Sequence, residues 1–234
     1  MNAEILVIVA CHNRKEVTRH CLENLSAVID HRDHLVLFND GSTEYDGKWL
    51  RCFSELVMNV PEPLGIHNQR IMHFQFAAQM IKRHPRITHV YLTDADVIHD
   101  PQWREQALSL QAKYDAPVCL YDTTAHSVIE GNTWGEDEDI IWRKYAPGVS
   151  YLLTVEHVDV IVGRCNMLGQ AWDWVVGDLL GNRFAISRIG YCDHIGIGGD
   201  RHPTDAGADG GDRVKLPTKF LIAKRAEIVS QLTA

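Results

Sequence analysis

The chain lacks any excess of positive charge. Its 23 Lys and Arg stand against 31 Asp and Glu, a formal net charge of -8 over 234 residues. A chain so balanced has no broad positive field with which to coat DNA or RNA. It also lacks a basic segment followed by a long apolar run, so the start Met1-Asn2-Ala3-Glu4-Ile5 reads as no signal peptide. The most apolar early run, 5–10, has strand length and is far too short to cross a bilayer. The six cysteines (Cys11, Cys21, Cys52, Cys119, Cys165 and Cys192) form no CxxC pair and no zinc-finger spacing. Several sit in apolar surroundings and read as reduced, packed thiols, and with the missing leader they point to a cytoplasmic protein. Asn24-Leu25-Ser26 fits the glycosylation pattern, which carries no meaning without secretion. No repeat or low-complexity segment interrupts the chain, and 45% hydrophobic residues suffice for the core of one domain spanning 1–234.

What is present is alternation. Strand-like runs at 5–10, 34–38, 55–60, 88–93 and 116–121 alternate with helical patterns at about 15–29, 68–82 and 101–113. This predicts an α/β fold, a mainly parallel central sheet with crossover helices on both faces. Ligands of such sheets bind beyond the carboxyl ends of the strands. Three polar clusters fall there: Cys11-His12-Asn13-Arg14, Asn39-Asp40-Gly41-Ser42 and Asp94-Ala95-Asp96. The second half is less regular. Residues 122–147 are polar and show no periodicity. A strand at 148–154, a helix at 155–164, a Trp-rich helix at 171–180, a strand at 184–194 and a helix at 217–232 follow. The Gly- and Asp-rich stretch 196–212 has the composition of a loop and is expected to be a mobile lid.

The strongest chemical signal is Val90-Tyr91-Leu92-Thr93-Asp94-Ala95-Asp96. Alternate residues of an extended chain share a face, so both carboxylates can address one hard divalent cation, which in turn bridges to a diphosphate. The competing reading is an ordinary turn after a strand. Gly196-Ile197-Gly198-Gly199 does not complete a dinucleotide-binding GxGxxG.

Four motifs in order resemble the family 2-type glycosyltransferases of the GT-A fold. They are Ile8-Val9-Ala10-Cys11-His12-Asn13-Arg14, Phe38-Asn39-Asp40-Gly41-Ser42-Thr43, Leu64-Gly65-Ile66-His67-Asn68-Gln69-Arg70 and Thr93-Asp94-Ala95-Asp96. Asn39 stands where the family usually has Asp, and His12 where Thr or Ser is commoner. The resemblance implies a nucleotide-sugar donor, with a UDP-sugar favoured, and Mn2+ or Mg2+ as cofactor. It divides the chain into a nucleotide-sugar-binding half (1–121) and an acceptor half (122–234). Ala10, His12 and Asp40 would then line the nucleobase pocket, and Asp94 would lie near the ribose and metal-bound water. Asp96 and His194 would bind the metal. Arg70 would reach the diphosphate or sugar, the alternative being a solvated helix residue. Arg14, Gly65 and Ala95, in the same motifs, complete the expected donor-binding set.

Two acidic segments compete for the general base of an inverting transfer. Trp134-Gly135-Glu136-Asp137-Glu138-Asp139 resembles an acceptor motif but precedes the 148–154 strand, whereas Trp172-Asp173-Trp174 follows it. Chain order favours Asp173 over Asp137, with Asp178 a further alternative. The rival readings are a non-catalytic nucleotide-sugar-binding protein and a haloacid-dehalogenase-type phosphatase, which shares an Asp-x-Asp after an apolar strand.

Overall fold

The structure, a computed structural model, describes residues 3–123, 126, 129–164, 172–195 and 217–233. β1 (Glu4–Cys11) is an apolar run buried along almost its whole length, as befits an interior strand covered on both faces. α1 (Lys15–Val28), β2 (His34–Asp40), a short α2 (Gly47–Leu50), β3 (Leu56–Val60), α3 (Ile66–Arg83) and β4 (Ile87–Asp94) follow. β3, β2, β1 and β4 lie side by side, all parallel, with Ile8 opposite Val36 on one side and Leu92 on the other. The chain first moves outward from β1 to β3, then returns to place β4 on the other side of β1. Right-handed crossovers therefore put α1 and α3 on opposite faces. The reversal also opens a crevice at the carboxyl ends of β1 and β4, the position where such sheets hold ligands.

Beyond β4 come β5 (Val97–His99), α4 (Trp103–Tyr114), β6 (Val118–Cys119), β7 (Thr133–Glu136), β8 (Ile140–Arg143), β9 (Ser150–Thr154) and α5 (Val155–Val162). The described chain ends with α6 (Trp172–Leu179), β10 (Phe184–Ser187), β11 (Cys192–His194) and α7 (Lys219–Thr233). Here the sheet turns mixed. β9 runs antiparallel to both β4 and β6, β10 is parallel to β6, and the β7–β8 hairpin closes the far edge.

Several expectations change. The strand expected over 184–194 is two strands: β10 stays in the main sheet, while β11 leaves it to pair with β5, His194 opposite Val97. Between them the Ser187 hydroxyl donates to the Ile189 carbonyl at 2.7 Å and Gly190 bridges to Pro217, turning the chain. The helix expected from 101 starts at Trp103, because Asp100 caps the preceding turn through its carboxylate to Gln102 N–H and its carbonyl to Trp103 N–H. The strand expected at 116–121 shortens to β6, and the patternless 122–147 contains the β7–β8 hairpin. The expected lid, 196–212, lies outside the described residues. Among those described, no helix is long and apolar enough to cross a membrane.

Candidate active site

The first two polar clusters form one cradle. Asn13 and Arg14 both take the left-handed conformation (φ 49° and 53°), which lifts the chain off β1 into α1. Asn13 Oδ1 accepts from Thr43 N–H at 2.8 Å and from the Ser42 and Thr43 hydroxyls at 3.1 and 3.2 Å. His12 Nδ1 donates to the Asp40 carbonyl at 2.6 Å, which leaves Nε2 to accept from the Asn13 amide at 3.3 Å. Asp40, itself buried, accepts from Leu64 N–H at 2.8 Å and so ties the second turn to the loop ahead of α3. Ala10, His12, Asp40 and Gly65 are thus brought to one edge of the sheet. Asn39, the departure from the family pattern, is taken up internally by Ser42 N–H and Asn59.

Gly41 makes this closure possible. Its φ is +60°, and an added Cβ would lie 2.5 Å from Pro63 N. Gly41→Ala is expected to destabilise the chain by about 2–4 kcal/mol, from left-handed strain plus overpacking against backbone. Denaturant unfolding checks this, and an unchanged midpoint would refute the closure.

The Asp94–Asp96 segment is a turn and a carboxylate site at once. β4 ends at Asp94, and Asp96 lies in the turn to β5 rather than on an extended strand. The turn is pinned from both sides: Ala95 N–H donates to Ala10 O at 2.9 Å, and Ile195 N–H donates to Asp96 O at 2.8 Å. These bonds place His194 and Asp96 together, with His194 Nε2 2.7 Å from Asp96 Oδ2. Arg14 Nη1 meets the same oxygen at 2.7 Å. Burial pushes Asp96 up, but His194 and Arg14 outweigh it and hold the carboxyl well below its usual range. Asp94 goes the other way: burial raises it, and its Arg70 partner only partly offsets that.

Arg70 is not a solvated helix residue. It is 1% exposed, with Nη2 2.5 Å from Asp94 Oδ1 and 3.3 Å from the Gly148 carbonyl. Its guanidinium lies 4.9 Å from the centre of the Trp172 ring, a cation–π contact. Gly148 admits that ring, since a Cβ there would sit 2.0 Å from Trp172. Through Arg70 and Trp172 the start of α6 is packed against Asp94, and Asp173 is the next residue.

Asp173 Oδ1 accepts from Trp174 N–H at 3.1 Å, and Oδ2 lies 3.2 Å from His126 Nε2. No motif or periodicity around His126 marks it in the sequence. Its Nδ1 is 3.0 Å from the Thr123 hydroxyl, which also receives the His126 backbone N–H at 3.2 Å. With that hydroxyl accepting from the backbone and donating to Nδ1, Nε2 carries the proton and donates to Asp173. Next to Thr123, Asp122 pairs with Arg143 at 2.8 Å, both side chains buried. The rival acids sit elsewhere along the same edge. Residues 137–139 join β7 to β8, four places from β4 in the sheet and so about 19 Å away at ordinary strand spacing. Glu136 pairs with Arg188 at 2.5 Å and Asp139 with Lys113 at 2.6 Å, and Asp178 accepts from the Tyr145 hydroxyl at 3.4 Å.

A divalent cation fits this donor set as an open site. Asp96 Oδ1 is buried and, among the described residues, has no hydrogen-bond partner. No group of three or more His, Cys, Asp or Glu side chains among those residues encloses a cation. A carboxylate and an imidazole, completed by phosphate oxygens and water, are what an octahedral ion on a diphosphate requires.

A profile of the family described as glycosyl transferase family 2 matches residues 6–174, from β1 through the start of α6. No curated protein matches the chain. Among solved structures the fold is similar to that of S. aureus TarS 1–349, with a TM-score of 0.56 at 13% identity over 78% of this chain and 57% of that one. It is also similar to the mannosyltransferase PcManGT from Pyrobaculum calidifontis, solved with GDP-Man and Mn2+, with a TM-score of 0.52 at 15% identity over 78% and 56%. TarS 1–349 in complex with UDP-GlcNAc matches with a TM-score of 0.55 at 14% identity over 78% and 55%. At such identities the likeness speaks for the GT-A fold alone, and the chain spans little more than half of each of these proteins. The profile, covering most of the chain, speaks for more: this protein belongs to glycosyl transferase family 2.

Proposed function

We propose that the chain transfers a sugar from a nucleoside-diphosphate donor, a UDP-sugar in first place, to an acceptor hydroxyl with inversion at the anomeric carbon. The observation that carries this reading is the junction at the β1–β4 crevice. Asp94, Asp96 and His194 gather there, and Trp172, the residue before Asp173, packs on the Arg70 that pairs with Asp94. Ala10, His12 and Asp40 cradle the base end of the donor, and Arg14 lies within reach of its diphosphate. Asp96 and His194 would hold Mn2+ or Mg2+, which when bound offsets charge on the departing diphosphate. Arg70 fixes Asp94 through their ion pair and partly offsets the cost of burying its charge; its own burial makes it a positioning residue.

In the reaction the acceptor oxygen bonds to the anomeric carbon as the bond from that carbon to the diphosphate oxygen breaks. Asp173 takes the acceptor proton, and the electron pair leaves with the nucleoside diphosphate. His126 holds one oxygen of Asp173 so that the other lone pairs face the acceptor. The ligands of the similar structures, GDP-Man with Mn2+ and UDP-GlcNAc, support a nucleotide-sugar donor without choosing between bases. A thermal-shift screen of UDP- and GDP-sugars, with and without Mn2+, tests the donor reading. One nucleotide class is expected to raise Tm by several degrees only with the metal, because a ligand bound to the folded state alone stabilises it. No shift with any nucleotide sugar would remove the reading.

A further inference from the structure

Beside Asp173 stands an aromatic pair that the transfer scheme does not use. The Tyr145 and Trp174 rings are stacked, with centroids 4.9 Å apart and planes within 7° of parallel. Trp174 is nevertheless 43% exposed, which is costly for so large an apolar ring unless something covers it in use. The pair is built rather than incidental. Gly177 has no side chain where a Cβ would fall 2.6 Å from the Tyr145 ring, so the tyrosine can lie flat on α6. Asn132, 1% exposed, holds Tyr145 at both backbone groups, accepting from its N–H at 2.8 Å and donating to its carbonyl at 3.2 Å. The same Asn132 amide donates to the His126 carbonyl at 2.8 Å. One buried side chain therefore fixes the aromatic pair and the partner of the general base relative to each other.

We propose that the Tyr145–Trp174 pair is the acceptor subsite, and that the acceptor is a neutral, hydroxyl-rich ring: a sugar residue of a glycan or glycoside. This rests on Asp173 as the base. An aromatic surface takes the C–H face of a pyranose, whose rim of hydroxyls needs acceptors. Asp173 and the exposed Asp178, itself bonded to the Tyr145 hydroxyl, supply carboxylate oxygens at that rim. The same two carboxylates, on a chain of net charge -8, repel a phosphorylated acceptor such as a nucleic acid or a lipid phosphate.

The test uses the full chain labelled with 5-fluorotryptophan, which gives one fluorine resonance for each of the six tryptophans. Trp174→Phe assigns the signal of interest, and Trp134, 50% exposed on the far edge, serves as the exposed control. Methyl glucoside and cellobiose at millimolar concentration are expected to move the Trp174 resonance saturably and to leave Trp134 unmoved. Tyr145→Ala should weaken that response at least fivefold, and Asp173→Asn, which keeps an acceptor oxygen at the rim, should weaken it far less. A Trp174 signal that ignores both glycosides, moves only in step with Trp134, or answers instead to a short single-stranded oligonucleotide or to choline overturns the proposal. Failure of the base assignment looks different: Asp173→Asn would then transfer at the wild-type rate while Trp174 still responds to glycosides.

Discussion

Asp173→Asn is expected to lower transfer by about two to four orders of magnitude while leaving donor affinity unchanged. Asn keeps the shape of the side chain and can still meet Trp174 N–H, but it cannot take a proton from the acceptor at neutral pH. The proposed donor contacts lie on other elements: the β1 and β2 turns, and the Asp94–Asp96 turn after β4. The loss should therefore appear in kcat, with KM for the nucleotide sugar little changed. Asp137→Asn is the control, because Asp137 sits in the β7–β8 turn, about 19 Å along the sheet edge from β4. It should leave the chemical step intact. Single-turnover transfer at saturating donor and acceptor separates the two. An inactive Asp137→Asn beside an active Asp173→Asn would move the base to the hairpin.

The first half of the sheet was legible because β1, β2 and β4 are short apolar runs ending in polar clusters, and strand ends on one edge need no knowledge of long-range pairing. Asp94 and Asp96 do lie at that edge, but not by the expected geometry: Asp96 stands in a turn, held by Ala10 and Ile195 rather than by strand alternation. What stayed hidden depends on partners far apart in the chain. Arg70 reads as a charged residue near the start of a helix until Asp94, 24 positions on, removes it from water. His126 stands in a polar stretch without periodicity, and its partner Asp173 comes 47 residues later. The β7 strand left no alternation to read because, as the edge strand, it is largely exposed along its length. In 184–194 the apolar runs either side of Ser187-Arg188 read as one strand and concealed a change of sheet, since an apolar run records burial and not which strand lies alongside. Two signals pointed toward α6: chain order, and Asp173 set between two tryptophans, of which one is buried on Arg70 and the other lies stacked in the open.

The largest expected loss of donor chemistry comes from Asp96→Asn. Its carboxylate is met by His194 and Arg14 on one oxygen and has a second oxygen buried with no partner among the described residues. Asn preserves the volume and an acceptor oxygen, so the turn should survive, but it removes the charge on which a divalent cation depends. Losing that ligand should cost about 100-fold or more in metal-dependent turnover. Release of nucleoside diphosphate from a nucleotide sugar is the direct measurement, run with Mn2+, with Mg2+ and with a chelator, on the wild-type chain and on Asp96→Asn. Release by the wild-type chain that stops with the chelator, returns with either metal and is absent in Asp96→Asn is the predicted result. Release that persists undiminished in the chelator and in Asp96→Asn would contradict it.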